Sequence, residues 1–376
     1  MAKNNKPKSN NKQGGPIINY LNKARSALVS VWQKNIFNKL WISLLLIAVL
    51  LISSMYGIAQ WYIYTQRDVP MKVGVTFISK YAKTLNVDPE ETLEAILTDL
   101  KPSQVRLVSY WNEIETSPGV YDFSNLDWQF EKVAKHNSKV SLAIGLRQPR
   151  WPECHPPTWQ INAPKEVRYQ ELLKVMSATI NHYKNHPALE SYQLENEFFL
   201  SVFGECPDFD RQRLINEFNA VKALDPNHPV IISRSNNAIG FPINQPKPDI
   251  YGVSVYKRVW DRNLTKRYFE YPFPAWFYGF LAGGSKIIDG RDLIIHELQA
   301  ESWTPDGYNI VTAPTEELYK SMNPERLADR FEYARASGIK HIDLWGAEWW
   351  YAMKVNRDQP ELWNTAVEQF ARLNEN

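Results

Sequence analysis

Beyond residue 70 the chain alternates short apolar runs with segments of helical spacing, and this alternation narrows its fold more than any other feature. The eight runs are VGVTFI (73–78), QVRLVSYW (104–111), KVSLAIGL (139–146), LESYQLEN (189–196), PVIIS (229–233), DIYGVSVY (249–256), DLIIHEL (292–298) and KHIDLWG (340–346). Several are apolar almost throughout, as strands covered on both faces of a parallel sheet must be. Helix signals lie between them. Asp88 stands as an N-cap, with Pro89 at the first helical position and Glu91 at the third. Leu93, Ile96, Leu97 and Leu100 then repeat at helical spacing. Ser124 precedes Leu126, Phe130 and Val133; Asn323-Pro324 precedes Leu327 and Phe331; Leu362, Ala366 and Phe370 mark the last helix. Eight such units over about 300 residues predict an α/β fold, a (β/α)8 TIM barrel. The stretch 234–248 carries no clear helix signal.

A second feature precedes the barrel. From Leu40 to Tyr64 run 25 residues without a charge, long enough as a helix to cross about 30 Å of hydrocarbon. Trp41 lies at one end and Trp61, Tyr62 and Tyr64 at the other, where aromatic belts sit. No small-x-small cleavage site follows, so the segment is expected to remain as a transmembrane signal anchor. Residues 1–39 hold eight Lys or Arg and no acid. The positive-inside rule therefore puts the N-terminus in the cytoplasm and residues 65–376 outside. The expected plan is a basic tail (1–39), a bilayer-spanning helix (40–64) and the barrel (65–376). Residues 17–37 read either as an amphipathic helix on the inner leaflet or as a solvated basic tail; the first fifteen residues look disordered.

Without the tail the chain carries 35 basic against 41 acidic residues, so the barrel has no nucleic-acid footprint and no nucleic-acid partner is expected. No His/Cys/Asp set has metal-ligand spacing and no glycine-rich phosphate loop appears, so neither metal nor cofactor is expected. Cys154 and Cys206, the two cysteines, fall in the loops after the third and fourth strands. Those strands are neighbours in a barrel, and outside the cell a disulfide between them is permitted.

In such barrels chemistry sits at the C-terminal ends of the strands. The fourth run ends in Glu195-Asn196-Glu197 and the seventh in His296-Glu297, with Glu301 shortly after. Strands three apart in a ring of eight face each other across the mouth. Two carboxylates so placed meet the needs of glycosidic cleavage: one protonates the leaving oxygen, the other attacks the anomeric carbon or activates water.

The run QLENEFF, with Asn196-Glu197 after the fourth strand, resembles the Asn-Glu signature of the clan of retaining (β/α)8 glycoside hydrolases that includes families 5, 39 and 42. The similarity extends from the first strand to the last helix. Arg106 in VRLVSYW matches the clan's arginine beside the nucleophile, and ETSPGVYDF (115–123) is similar to the segment after its second strand. Tyr256 ends the sixth strand where the clan carries a Tyr or His. Trp345 ends the eighth where it carries an aromatic platform, and Glu297-Leu298-Gln299 resembles the family 42 nucleophile region. The resemblance implies that Glu197 is the acid/base, Glu297 the nucleophile, and Asn196 a ligand of the sugar 2-hydroxyl. It also implies that Arg106 and Tyr256 keep Glu297 ionised. Glu195 competes with Glu197, since strand alternation puts both on one face, and Glu301 competes with Glu297.

Of the 14 tryptophans, Trp303 and Trp345 are the expected sugar platforms. His296 either orients Glu297 or is a satisfied core residue. The aromatic stretch 257–284 reads as a lid over the cleft, a patch resting on the bilayer, or in part a helix packed on the barrel. Asn263-Leu264-Thr265 is a glycosylation sequon. The expected activity is retaining hydrolysis of a β-linked carbohydrate outside the cell, with the bilayer held through 40–64. The alternatives are a transglycosylase remodelling an exported polysaccharide, a catalytically silent glycan binder, or a barrel enzyme of unrelated chemistry.

Overall fold

The computed structural model describes residues 16–206, 209–235 and 245–374. The first fifteen residues, and 236–244 within the stretch that lacks a helix signal, lie outside the described residues. The chain forms two compact units, 1–57 and 58–376.

In the first unit Pro16–Lys34 forms helix α1, with Ile17, Ile18, Tyr20 and Leu21 exposed. Helix α2 runs unbroken over Ile36–Gln66. By length and composition it could cross a membrane, and its leucines and isoleucines between positions 44 and 52 are exposed.

The second unit takes in the last turns of α2. Ala59 is buried there, and so is Tyr62, expected at an aromatic belt. Ile63 lies against Gly338, whose φ is +77°; a Cβ at that glycine would come within 2.8 Å of the Ile63 side chain.

The expected barrel is present. Its strands are β1 (Lys72–Thr76), β2 (Gln104–Val108), β3 (Lys139–Ile144), β4 (Leu189–Leu194), β5 (Val230–Ser235), β6 (Ile250–Val255), β9 (Asp292–Gln299) and β10 (His341–Trp345). They close in the order β1-β10-β9-β6-β5-β4-β3-β2, every pairing parallel. A short antiparallel hairpin, β7 (Arg258–Trp260) with β8 (Tyr268–Glu270), interrupts the alternation between β6 and β9. Two helix starts follow the predicted chemistry, whereas Ser124, read as preceding a helix, is its first residue and makes no cap bond. Asp88 accepts from Glu91 N at 2.9 Å and Asn323 from Arg326 N at 2.9 Å, each ahead of a proline. Such caps contribute about 1 kcal/mol each.

Inside the barrel, Asp343 on β10 meets His296 Nδ1 at 2.8 Å, both side chains wholly buried, while Gln104 donates to the same carboxylate at 3.4 Å. His296 is therefore bound into the barrel interior. Burial, with Arg106 nearby, pulls its pKa down.

Candidate active site

The carboxyl ends of β3, β4, β6, β9 and β10, with the β7–β8 hairpin, enclose a cavity of about 680 Å³. Asn196, Glu197, Tyr256, Glu297, Trp303 and Trp345 all line it. Arg106 lies beneath: it is wholly buried and donates through Nη2 to Glu297 Oε1 at 2.6 Å. Its Nε donates to Thr76 Oγ1 at 2.9 Å and its Nη1 to Gln193 Oε1 at 3.2 Å. A guanidinium fixed at three points supplies the charge that a buried carboxylate needs. Tyr256 donates its hydroxyl to the other oxygen of Glu297 at 2.8 Å, so both carboxylate oxygens are held. Trp303 meets the Tyr256 ring edge-on, centroids 5.6 Å apart.

Glu197 is in the opposite condition. Burial first, and the charge of Glu297 second, push its carboxyl well above the usual glutamate range. The two buried acids therefore stand in unlike surroundings, one bonded to a guanidinium and a phenol and the other driven towards its neutral form.

The turn carrying Glu197 shows why Glu195 differs. Strand β4 ends at Leu194, and both Glu195 (φ 57°) and Glu197 (φ 42°) adopt left-handed backbone. The alternation expected to put the two on one face stops before either residue. The Glu195 carboxylate turns away and accepts from Leu146 N at 2.7 Å and Arg147 N at 3.1 Å. It also pairs with Arg213 at 2.9 Å. A Cβ at Gly145, whose φ is +108°, would come within 2.5 Å of that carboxylate, so this approach requires glycine. Glu195 thus ties the ends of β3 and β4 together and does not line the cavity. Glu301 does line it, but Arg150 engages both its oxygens, at 3.2 and 3.1 Å. Arg150 also lies over Tyr81 and Trp345, 3.2 and 4.4 Å from the ring centroids.

Several cavity residues had no sequence assignment. Glu153 lines it, accepts from Asn196 Nδ2 at 3.0 Å and lies 3.6 Å from Arg147. Burial lifts its carboxyl to about 7. Gln193 donates to Asn196 Oδ1 at 2.9 Å and to Ser233 Oγ at 3.0 Å, and Ser233 Oγ accepts from Glu197 N at 3.1 Å. Asn196 is thus clamped at both ends of its amide. A glutamine at the buried end of LESYQL, and three charges packed among Pro and Trp in RQPRWPEC, were the available signals. Cys154 is bonded to Cys206, Cα atoms 5.2 Å apart, which joins the loop holding Arg150 and Glu153 to the one after β4. The aromatic stretch 257–284 divides: its first part is the hairpin over the cavity, and its second opens the helix Ala275–Asp289, packed on the barrel.

No family model matches the chain. Solved structures share this architecture. A β-galactosidase from the haloarchaeon Halorubrum lacusprofundi shares 13% identity at a TM-score of 0.54 over 81% of this chain. A β-galactosidase from Rahnella sp. R3 shares 12% at 0.53, also over 81%. The chain spans 58% and 56% of those two proteins. A GH5_18 protein from Bifidobacterium longum subsp. longum, solved with Manβ1-4GlcNAc, shares 12% at 0.54, covering 80% of this chain and 78% of its own. At 12–13% identity these likenesses establish the fold, a barrel shared with those three proteins.

Proposed function

We propose that this chain is a retaining β-glycosidase that cleaves β-linked carbohydrate by double displacement and is held at a membrane by α2. The observation that carries the reading is the pairing of Glu197 and Glu297 in one cavity, the first driven towards its protonated form and the second bonded to Arg106 and Tyr256. Glu297 attacks the anomeric carbon, and the bond to the leaving oxygen breaks as Glu197 delivers its proton there. In the second step Glu197 takes a proton from the incoming water and the sugar leaves Glu297. Asn196, clamped by Gln193 and Glu153, addresses the sugar 2-hydroxyl, and Trp303 and Trp345 support the ring. In this reading residues 1–39 are cytoplasmic, 40–64 span the bilayer and 65–376 lie outside.

The test is a panel of aryl β-glycosides, followed by a 2-fluoro glycoside trap and peptide mapping. The label is expected on Glu297, with the first-formed product of the same anomeric configuration as the substrate. An inverted product, or a label elsewhere, contradicts the mechanism. Products formed with competing sugar acceptors separate hydrolysis from transfer.

A further inference from the structure

The floor and the mouth of the cavity differ in chemistry. The floor carries the carboxylates and their partners. The lining also carries the apolar side chains of Trp151, Leu200, Phe203, Leu264 and Phe269, of which Leu200 is buried. Leu264 is 87% exposed, Trp151 56% and Phe269 45%.

The hairpin contributes Leu264 and Phe269, and most of its polar groups are already occupied. The Asp261 carboxylate accepts from the backbone of Asn263, Leu264 and Thr265, and from the Thr265 hydroxyl at 2.7 Å. Arg262 and Lys266 both reach Asp306. The Tyr268 hydroxyl donates to Glu317 at 3.0 Å. The Asn263 side chain, in the exposed turn, and the Trp260 indole N–H are among the exceptions. A second sugar in the mouth would bring hydroxyls against leucine and phenylalanine, and buried hydroxyls without partners are costly. Trp and Tyr can stack on sugar faces, but the aliphatic surface of Leu200 and Leu264 suits a chain of methylenes.

We infer that the outer half of the cavity is an aglycone subsite for an alkyl chain, so that the preferred substrate is a β-glycoside of a lipid-like alcohol. This assignment rests on the glycosidase reading and names its substrate class. On cleavage the proton from Glu197 goes to the alkyl-bearing oxygen, and the free alcohol leaves through the apolar mouth.

The experiment uses the full-length chain in lipid nanodiscs. Methyl through hexyl β-galactosides, β-glucosides and β-mannosides are compared, below micellar concentrations, with the corresponding β-glycosyl fluorides, which have no aglycone. The ratio of kcat/KM for each alkyl glycoside to that for the fluoride should rise two- to fourfold per methylene; full burial of one methylene corresponds to about fourfold, or ~0.8 kcal/mol. Leu264→Asp and Phe269→Asp should each flatten that rise, and because the readout is a ratio, a general loss of activity cancels. A flat series in the unaltered protein, an unchanged slope in both variants, or a disaccharide preferred over every alkyl glycoside overturns the inference while the fluorides are still turned over. Failure to cleave any fluoride or aryl glycoside removes the glycosidase reading, and this inference with it.

Discussion

Arg106 and Glu297 face each other at 2.6 Å across the inside of the barrel, one side chain wholly buried and the other nearly so. Removing one partner of such a pair leaves an uncompensated buried charge, a loss of about 3–5 kcal/mol. Arg106→Leu should therefore lower both the unfolding temperature and kcat/KM, the latter at least a hundredfold. Arg106→Lys keeps the charge but loses the contacts to Thr76 and Gln193, and should fall between. Calorimetry and turnover measured on the same preparations check this; a leucine variant with native values of both contradicts the pairing.

Glu297→Ala and Glu197→Gln should each reduce turnover at least a hundredfold, a barrier change of about 2.7 kcal/mol. Glu301→Gln and Glu195→Gln separate the competitors. Glu195→Gln should act mainly on stability, because its carboxylate joins β3 to β4 through Arg213 and two backbone amides. Steady-state kinetics on all four variants decides, and near-normal turnover in either of the first two overturns the assignment.

The pH dependence has a definite sign. Glu197 is raised by burial and by Glu297; as the proposed proton donor it must begin the cycle protonated, so activity should fall as pH rises through its value. Replacing Glu297 with Gln removes the repulsion, and carbon-13 NMR of the Glu197 carboxyl should show its titration move down. An unmoved titration would mean that Glu297 is not a charged neighbour.

Glu153 gives a matching stability test. Its folded value is about 7, against about 4.3 in an unfolded chain. Between those limits the folded form holds a proton that the unfolded form has lost, so stability declines as pH rises through the window. Glu153→Gln cannot ionise, and its unfolding temperature relative to the unaltered protein should improve between pH 5 and pH 8. A difference constant across that range refutes the shift.

The Cys154–Cys206 bond closes a loop over a sequence separation of 52, for which chain entropy gives ~4 kcal/mol of stabilisation. The double serine variant should unfold at lower temperature. It should also raise KM, because Trp151 and Glu153 stand just before Cys154 and line the cavity. A lower unfolding temperature with unchanged KM would show that the loop keeps its place without the bond.

The barrel was legible because its strands are apolar on both faces and its helices begin with caps: the runs at 104, 139 and 189 begin where β2, β3 and β4 begin. Strand ends were less legible. LESYQLEN reads as extended to Asn196, yet the chain leaves the strand after Leu194. The carboxylate of Glu195 finds backbone donors on the neighbouring loop, a tertiary interaction without a local pattern. The same limit hid Glu153 and Gln193, whose partners lie 43 and 87 residues away or on other strands. The stretch 257–284 was read as a lid, a bilayer patch or in part a helix, with no strand expected, since three-residue strands carry too little periodicity to declare themselves.

That hairpin also leaves and rejoins the fold at one point. Arg258 and Glu270 are cross-strand partners, so excising the eleven residues between them would leave two chain ends already side by side. The barrel and its acid pair could then be kept while the mouth of the cavity is exchanged.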